Sequence, residues 1–294
     1  MFARVLEESG QRPPSVEDSV WTNFVRSYHQ WGTAELPDIA VEVACGGKRV
    51  EVESDEAGYI DVRFDAPKLD LGWAPVRFRW KTPRGTDAHT SGQLFVPAAG
   101  QQFGIISDID DTILQTNVQN RARMVALSVF GNALTRLGYP GTTEWYQGMV
   151  LQTHAPVFYV SRSAWNLFSL LREFIEHQAL PLGPLILREV GLRRGKERRR
   201  GHKFRRMSEF FELYPQMRFI CIGDSGQRDA EIYAALARRY PGRVVAIYIR
   251  DVGHPERRLV AQAACETANV PYLLFVHSQT AQNHARRLGL WRSP

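Results

Sequence analysis

Between Ile39 and Trp80 the apolar positions recur every second residue: Ile39, Val41, Val43; Val50, Val52; Ile60, Val62, Phe64; Val76, Phe78, Trp80. A period of two places all the apolar side chains of a segment on one face, so these stretches read as half-buried antiparallel strands. Turn-forming residues separate them at Gly46-Gly47, Asp55 to Gly58, Pro67 to Gly72 and Pro83 to Gly85, and Gln93 to Val96 supplies a fifth strand. Five such strands predict a small β-sandwich over residues 31–99, with its role left open. Ahead of it, residues 1–30 carry Pro13-Pro14 and read as a tail with a short helix from Val20 to Tyr28.

After Pro97-Ala-Ala-Gly100 the rhythm changes to strand, helix, strand. Continuous apolar runs occupy Phe103 to Ile106, Val157 to Val160, Leu185 to Leu187, Phe219 to Ile222, Val244 to Ile249 and Tyr272 to Phe275. Strands without alternation are buried on both faces, which predicts an α/β unit with a Rossmann-like parallel sheet over residues 100–294. About 45 residues separate the first two runs, with a helical pattern through Met124, Leu127, Val129, Leu134 and Leu137. That is long for one crossover, so a small helical cap is expected at about 117–152. Its Trp145 and Tyr146 suit either a substrate role or plain helical packing.

The residues just after each buried run are more telling than the runs themselves. The first run leads into Ser107-Asp108-Ile109-Asp110-Asp111-Thr112, three carboxylates within four residues. Adjacent acids repel, and burying them at a sheet edge is costly unless a cation neutralises them, so a metal is expected, Mg²⁺ by preference. Taken alone, an acidic turn of this kind also suits a structural calcium or a helix N-cap. Ser161 comes after the second run, and Asp224 after the fourth, in Gly223-Asp224-Ser225-Gly226-Gln227-Arg228-Asp229. All of these residues would lie along one edge of the sheet.

Such a set suits phosphoryl transfer. A carboxylate attacks phosphorus to give an aspartyl phosphate, a divalent cation offsets the repulsion between the two anions, and a second acid serves the leaving oxygen and then water. Asp108-Ile-Asp110-Asp-Thr112, Ser161, Lys203 and Gly223-Asp224 through Asp229 resemble, in that order, the four motifs of haloacid dehalogenase superfamily phosphatases. Trp165-Asn-Leu167, His202-Lys203, Gly223-Asp-Ser-Gly-Gln227 and Ala246-Ile-Tyr-Ile-Arg-Asp251 further resemble the conserved catalytic domain of the actin-patch phosphatidate phosphatase family, over roughly residues 100–290. The resemblance implies Asp108 as nucleophile and Mg²⁺ ligand, and Asp110 as acid/base that also lends the metal its backbone carbonyl. It implies Asp224 as a further ligand and Asp229 as a support for the metal from behind or through water. Ser161 and Lys203 would hold the transferring phosphoryl group, and Thr112 would brace the loop. The chain departs from the pattern in reading Ser161-Arg162-Ser163-Ala164, where a second small residue, often followed by Pro, is expected. Arg162 therefore either reaches an extra anionic group of the substrate or is solvated. Asp111 either accepts a bond behind the site or starts a helix, with the second expected.

Composition narrows the setting. The 294 residues are 44% hydrophobic and 23% charged, enough for one or two globular domains. Cys45, Cys221 and Cys265 are widely spaced, which supports neither a disulfide framework nor a zinc site and makes reduced, cytoplasmic thiols the expectation. Met-Phe-Ala-Arg-Val-Leu-Glu-Glu is too short an apolar opening for a signal peptide, and no apolar run approaches the roughly 20 residues of a membrane-spanning helix. The net charge of +6 is concentrated: residues 188–206 hold ten Lys/Arg against Glu189 and Glu197, a net +8, leaving the rest at −2 by subtraction. Residues 194–200 lack apolar anchors and read as a mobile loop, while Lys203 opens the helical pattern Phe204, Met207, Phe210, Phe211. A cationic segment of this kind wants an anionic partner, an acidic lipid surface or, less in keeping with the family resemblance, nucleic acid. His202 and His254 are expected to be structural or solvent-facing, because hard Mg²⁺ prefers oxygen. The function these features imply is a Mg²⁺-dependent phosphomonoester hydrolase, with phosphatidate as the leading substrate. The alternatives are a nucleic-acid-end or small-molecule phosphatase, or a non-catalytic membrane- or protein-binding module; oligomeric state is left open.

Overall fold

A computed structural model describes residues 2–4, 36–56, 58–63, 69–83, 85–115, 138–188 and 196–294. The chain divides into two compact units, with the break between Ala99 and Gly100.

The strands of the first unit are β1 Phe2–Arg4, β2 Ala40–Cys45, β3 Lys48–Glu53, β4 Tyr59–Asp61, β5 Gly72–Lys81 and β6 Asp87–Val96. Four of them form one antiparallel sheet in the order β3-β2-β5-β6, while β1 and β4 pair as a separate two-stranded ribbon. The alternation is obeyed, with Val41, Val43, Cys45 and Val76 pointing inward and joined there by Ile60 and Val62. The expected sandwich is thus a four-stranded sheet whose apolar face is shared with residues of the ribbon segment. The reason is partner choice: the third predicted strand pairs with the amino-terminal residues, which the sequence reads as part of a tail, and not with the main sheet. The helix expected at Val20 to Tyr28 lies outside the described residues.

The second unit is an α/β layer structure. Its strands are β7 Phe103–Ser107, β8 Val157–Ala164, β9 Leu185–Arg188, β10 Arg218–Asp224, β11 Val244–Arg250 and β12 Tyr272–Phe275. All six are parallel, in the order β12-β11-β10-β7-β8-β9. Helices follow or connect them: α1 Thr142–Thr153, α2 Phe168–His177 after a 3-10 turn at Trp165–Leu167, α3 Lys196–Leu213, α4 Asp229–Arg239, α5 Pro255–Glu266 and α6 Ser278–Arg287. Residues of α1, α2 and α6 pack on one face around Ile105, Ile220 and Tyr248. On the other face Phe210 and Phe211 of α3 pack with tilted rings against Phe158 and Phe219 at 4.6 and 4.5 Å between ring centroids. Among the described residues no helix is long and apolar enough to cross a membrane.

Two expectations change here. Trp145 and Tyr146, assigned to a cap, are fully buried on α1, with Trp145 edge-on to Tyr248 and Phe275 at 5.2 Å each. An interior aromatic of this size contributes about 3–5 kcal/mol relative to alanine, so the carboxyl-terminal part of the expected cap belongs to the core. Residues 117–137, and with them the apolar pattern from Met124 to Leu137, lie outside the described residues. The segment 194–200 is expected as a loop, yet α3 begins at Lys196. Lys, Arg and Glu are good helix formers without apolar periodicity, and the anchored stretch from Phe204 onward extends backwards through them.

The strand order also determines where chemistry can occur. From β7 the chain winds outward through β8 and β9, then returns to place β10 on the other side of β7. The carboxyl ends of β7 and β10 therefore flank the point where the winding reverses, where the diverging connections leave a crevice.

Candidate active site

Asp108 leaves the carboxyl end of β7 with its backbone N–H donated to Ile222 O of β10 at 2.9 Å, and Asp224 ends β10 itself. Neighbouring parallel strands thus carry the two acids to the same height, although 116 positions separate them in the chain. Asp229 opens α4 and returns to the same place, its Oδ2 accepting the N–H of Asp224 at 3.3 Å. One carboxylate oxygen from each of Asp108, Asp224 and Asp229 lies within 4.8 Å of the others, and the three side chains are 0%, 0% and 1% exposed.

This approach is possible because residue 223 is glycine. A Cβ there would lie 2.4 Å from Asp229 Oδ2 and 2.6 Å from its Cβ, closer than any packing allows.

Among the described residues one cation reaches this trio. Lys203, 3% exposed on α3, pairs with Asp108 Oδ1 at 2.9 Å and with Asp229 Oδ1. At 2.9 Å the Lys203 ammonium is the charged partner of Asp108 Oδ1. Burial alone would lower the lysine, but Asp108 and Asp229 outweigh it and hold it charged. Three buried carboxylates against one ammonium leave an excess of negative charge. Burial accordingly raises Asp108 well above the usual carboxylate range, with Lys203 opposing and Asp229, Asp224 and Asp110 adding to the rise. Burial and Asp229 likewise push Asp224 up to about 7, against Lys203 and the Gln227 N–H. Asp224 Oδ1 accepts that N–H at 2.9 Å, whereas Oδ2 is buried without a hydrogen-bond partner among the described residues. An orphaned carboxylate oxygen, a charge deficit and an all-oxygen donor set suit a hard divalent cation such as Mg²⁺, which the trio would hold.

Asp110 is not part of that trio. Its Oδ2 accepts hydrogen bonds from Ser161 Oγ at 2.8 Å and Ser163 Oγ at 2.7 Å, both from β8. Ser163 N–H in turn donates to Ser161 Oγ at 2.9 Å. Thr112, in the same loop as Asp108, has its Oγ1 3.5 Å from Asp108 Oδ2. Arg162 points to solvent between the two serines, and its carbonyl accepts from Arg188 Nε at 3.0 Å. Asp111 starts no helix: it takes φ 58° in a turn over residues 111–113 that its N–H closes onto Leu114 O at 2.7 Å.

The fold thus brings Asp108, Asp110, Thr112, Ser161, Lys203, Asp224 and Asp229 to one sheet edge and leaves Arg162 outside. His254 is exposed, and the side chain of His202 lies outside the described part of the structure. Two participants carry no role in the sequence reading. Ser163 shares its face with Ser161, two positions earlier on a strand, and that spacing is the available signal. Arg250 ends a run of apolar strand residues and is 1% exposed, so the anomaly is a charge at the close of a buried strand.

Comparison with known proteins identifies a family for this chain. The family model described as "Phosphatidate phosphatase APP1, catalytic domain" matches residues 103–251, half of the chain, and the chain belongs to that family. It is similar to phosphatidate phosphatase APP1 of Saccharomyces cerevisiae, 32% identical over 151 residues, covering 50% of this chain and 26% of the yeast protein. It is also similar to an uncharacterised protein of Schizosaccharomyces pombe, 31% identical over 153 residues, covering 51% of this chain and 25% of that one. The match thus takes in about a quarter of the length of these relatives. Among solved structures, cytosolic 5'-nucleotidase IIIB bound to cytidine aligns with a TM-score of 0.40 and 12% identity, over 64% of this chain and 85% of that one. At that score the similarity bears on neither fold type nor activity.

Proposed function

We propose that this chain is a Mg²⁺-dependent phosphomonoester hydrolase of the haloacid dehalogenase type, acting through an aspartyl phosphate on Asp108, with phosphatidate as its substrate. The observation that carries the reading is the buried convergence of Asp108, Asp224 and Asp229 around Lys203 at the switch point of the sheet. Membership of a phosphatidate phosphatase family supports the substrate class.

In this reading a carboxylate oxygen of Asp108 bonds to phosphorus as the ester P–O bond breaks, and Asp110 delivers a proton to the departing alkoxide. Asp110 then takes a proton from water, whose oxygen displaces the Asp108 carboxylate from phosphorus and releases inorganic phosphate. The acid is aimed by Ser163, which keeps hold of Asp110 Oδ2 when Ser161 turns its hydroxyl to a phosphoryl oxygen. Lys203 orients Asp108 through their ion pair and offers the phosphoryl group a positive neighbour. A bound Mg²⁺ supplies the charge that offsets repulsion between the carboxylate and the phosphate. Asp108, Asp224 and Asp229 would hold it, helped by the Asp110 carbonyl. The cationic segment 188–206 is read as a contact with an anionic lipid surface, which makes the protein a peripheral visitor to membranes from the cytoplasm.

The test measures phosphate release, with and without Mg²⁺, from phosphatidate in mixed micelles and from a 3'-phosphorylated oligonucleotide. Turnover of the lipid only with Mg²⁺ is expected. Turnover of the oligonucleotide alone overturns the lipid assignment, and release from neither, nor from a panel of small phosphomonoesters, overturns the phosphatase reading.

A further inference from the structure

Arg250 is among the largest fully buried side chains of the molecule; its guanidinium donates to neutral oxygens and lies against aromatic rings. Burial pulls it down to about 10, still charged at neutral pH, with Tyr139 and Tyr146 opposing the fall. A charge enclosed in this way costs several kcal/mol of lost hydration, and an apolar residue of like size would fill the space without that cost. What the arginine does with its donors explains its presence.

Its side chain donates Nε–H to the carbonyl of Thr112 at 2.8 Å, in the loop that carries Asp108 and Asp110. Nη1 donates to Val276 O at 3.0 Å, and Nη2 to Thr142 Oγ1 and Ser278 Oγ at 3.1 Å each. Its guanidinium carbon lies 4.0 Å from the ring centre of Tyr139 and 4.8 Å from that of Phe275. Its main chain works on the other acidic loop: Arg250 O accepts the N–H of Ser225, the residue after Asp224, at 2.8 Å, and Cα of Arg250 is the register partner of Asp224 across β10 and β11. The nucleophile loop is further closed just beyond the site, where Leu114 bridges Gly138 and Gln115 Nε2 donates to Gly138 O at 3.1 Å. One residue therefore bonds both loops whose carboxylates must stay within a few ångströms of each other. The rigid planar fork is suited to this, since it binds several acceptors in fixed directions where an ammonium on a flexible stem does not.

We propose that Arg250 is a positioning residue that holds the Asp108–Thr112 loop in register with the Asp224 loop, so that the two acids keep their spacing. The kinetic part of this rests on the phosphatase reading above; the structural part does not.

The test compares Arg250→Lys with the parent chain in two measurements. Hydrogen exchange followed by mass spectrometry is expected to show faster exchange in peptides spanning 105–115, with the core peptide of β10 unchanged. Hydrolysis of p-nitrophenyl phosphate with Mg²⁺ is expected to fall about 10- to 100-fold in kcat, the usual consequence of a displaced reacting group, with KM within about 3-fold. The double variant Thr142→Ala, Ser278→Ala keeps the arginine but releases Nη2, and is expected to give the same exchange pattern at smaller amplitude; it decides the matter if the lysine variant does not fold. Unchanged exchange at 105–115 in a folded variant overturns the proposal, as does a kcat equal to the parent's. A parent chain without hydrolysis overturns the phosphatase reading instead, and the exchange data then decide alone whether Arg250 holds the loop.

Discussion

The two units treat acidic residues in opposite ways. In the antiparallel unit Glu42, Glu51 and Glu53 lie on strand positions that are exposed or half exposed, and Glu42 meets Arg49 at 3.7 Å in water. In the α/β unit Asp108, Asp224 and Asp229 are enclosed, pressed together and served by one lysine. The first arrangement costs the fold nothing and contributes little, because solvent screens it. The second works against the fold until something of opposite charge arrives. Buried acids that lack a matching positive charge are the pattern expected of a site kept for its chemistry.

The contrast is broken most severely at Asp108, the proposed nucleophile. Asp108→Asn keeps the volume and removes the charge, so phosphate release is expected to fall by about 10³-fold or more while the circular dichroism melting curve stays at or above the parent's. Activity equal to the parent's would remove Asp108 from the mechanism.

Metal and pH probe it next. Asp108 and Asp224 have folded-state pKa values raised above their unfolded ones, so the native state binds protons more tightly. The contribution of these two acids to the stability of the metal-free protein is therefore fully present below about pH 4, near the unfolded carboxylate value, and is lost as pH rises through the folded value, about 7 for Asp224. Mg²⁺ at about 100 times its Kd adds about 2.7 kcal/mol, a rise on the order of 5–10 °C in Tm for a unit of this size. Differential scanning fluorimetry is expected to show a larger Mg²⁺ shift at pH 8 than at pH 5, because protons compete for the same oxygens. A shift that grows towards acid pH contradicts the assignment of these ligands.

Gly223→Ala tests the packing behind the site. The added methyl meets Asp229, so a loss of about 1–3 kcal/mol is expected in denaturant melts, together with weaker Mg²⁺ binding by titration calorimetry. The smallest effect belongs to the other unit. Glu42→Gln removes the exposed pair with Arg49 and is expected to change stability by less than about 0.5 kcal/mol; a change above roughly 2 kcal/mol would mean that the surface acids are not an inert counterpart to the buried ones.

Much of the α/β unit is legible in the sequence because its strands announce themselves. Runs such as Val244 to Ile249 have no polar alternation and are buried on both faces in the structure. The strand at Ile60 is legible as a strand but not in its pairing, since alternation specifies a buried face and says nothing about which neighbour covers it. The chain at 194–200 misleads because charge without periodicity looks like a loop, although Lys, Arg and Glu are good helix formers. Trp145 and Tyr146 can be assigned to either surface or core, because a helix with aromatics on it fits both until its neighbours are known.

By itself, the order of residues determined the acidic turn after β7, the second acidic turn after β10 and the alternation of the first unit, because each is a local consequence of side-chain type and spacing. Tertiary structure decided everything that depends on a distance between segments: that Asp229 reaches back over Gly223, that Ser163 joins Ser161 on Asp110, and that Arg250 bonds the loop of Thr112. These pairings span from 5 to 138 positions along the chain. They exist because parallel strands in a particular order bring their carboxyl ends side by side, and spatial order of strands is a property of the packed sheet that no single segment encodes.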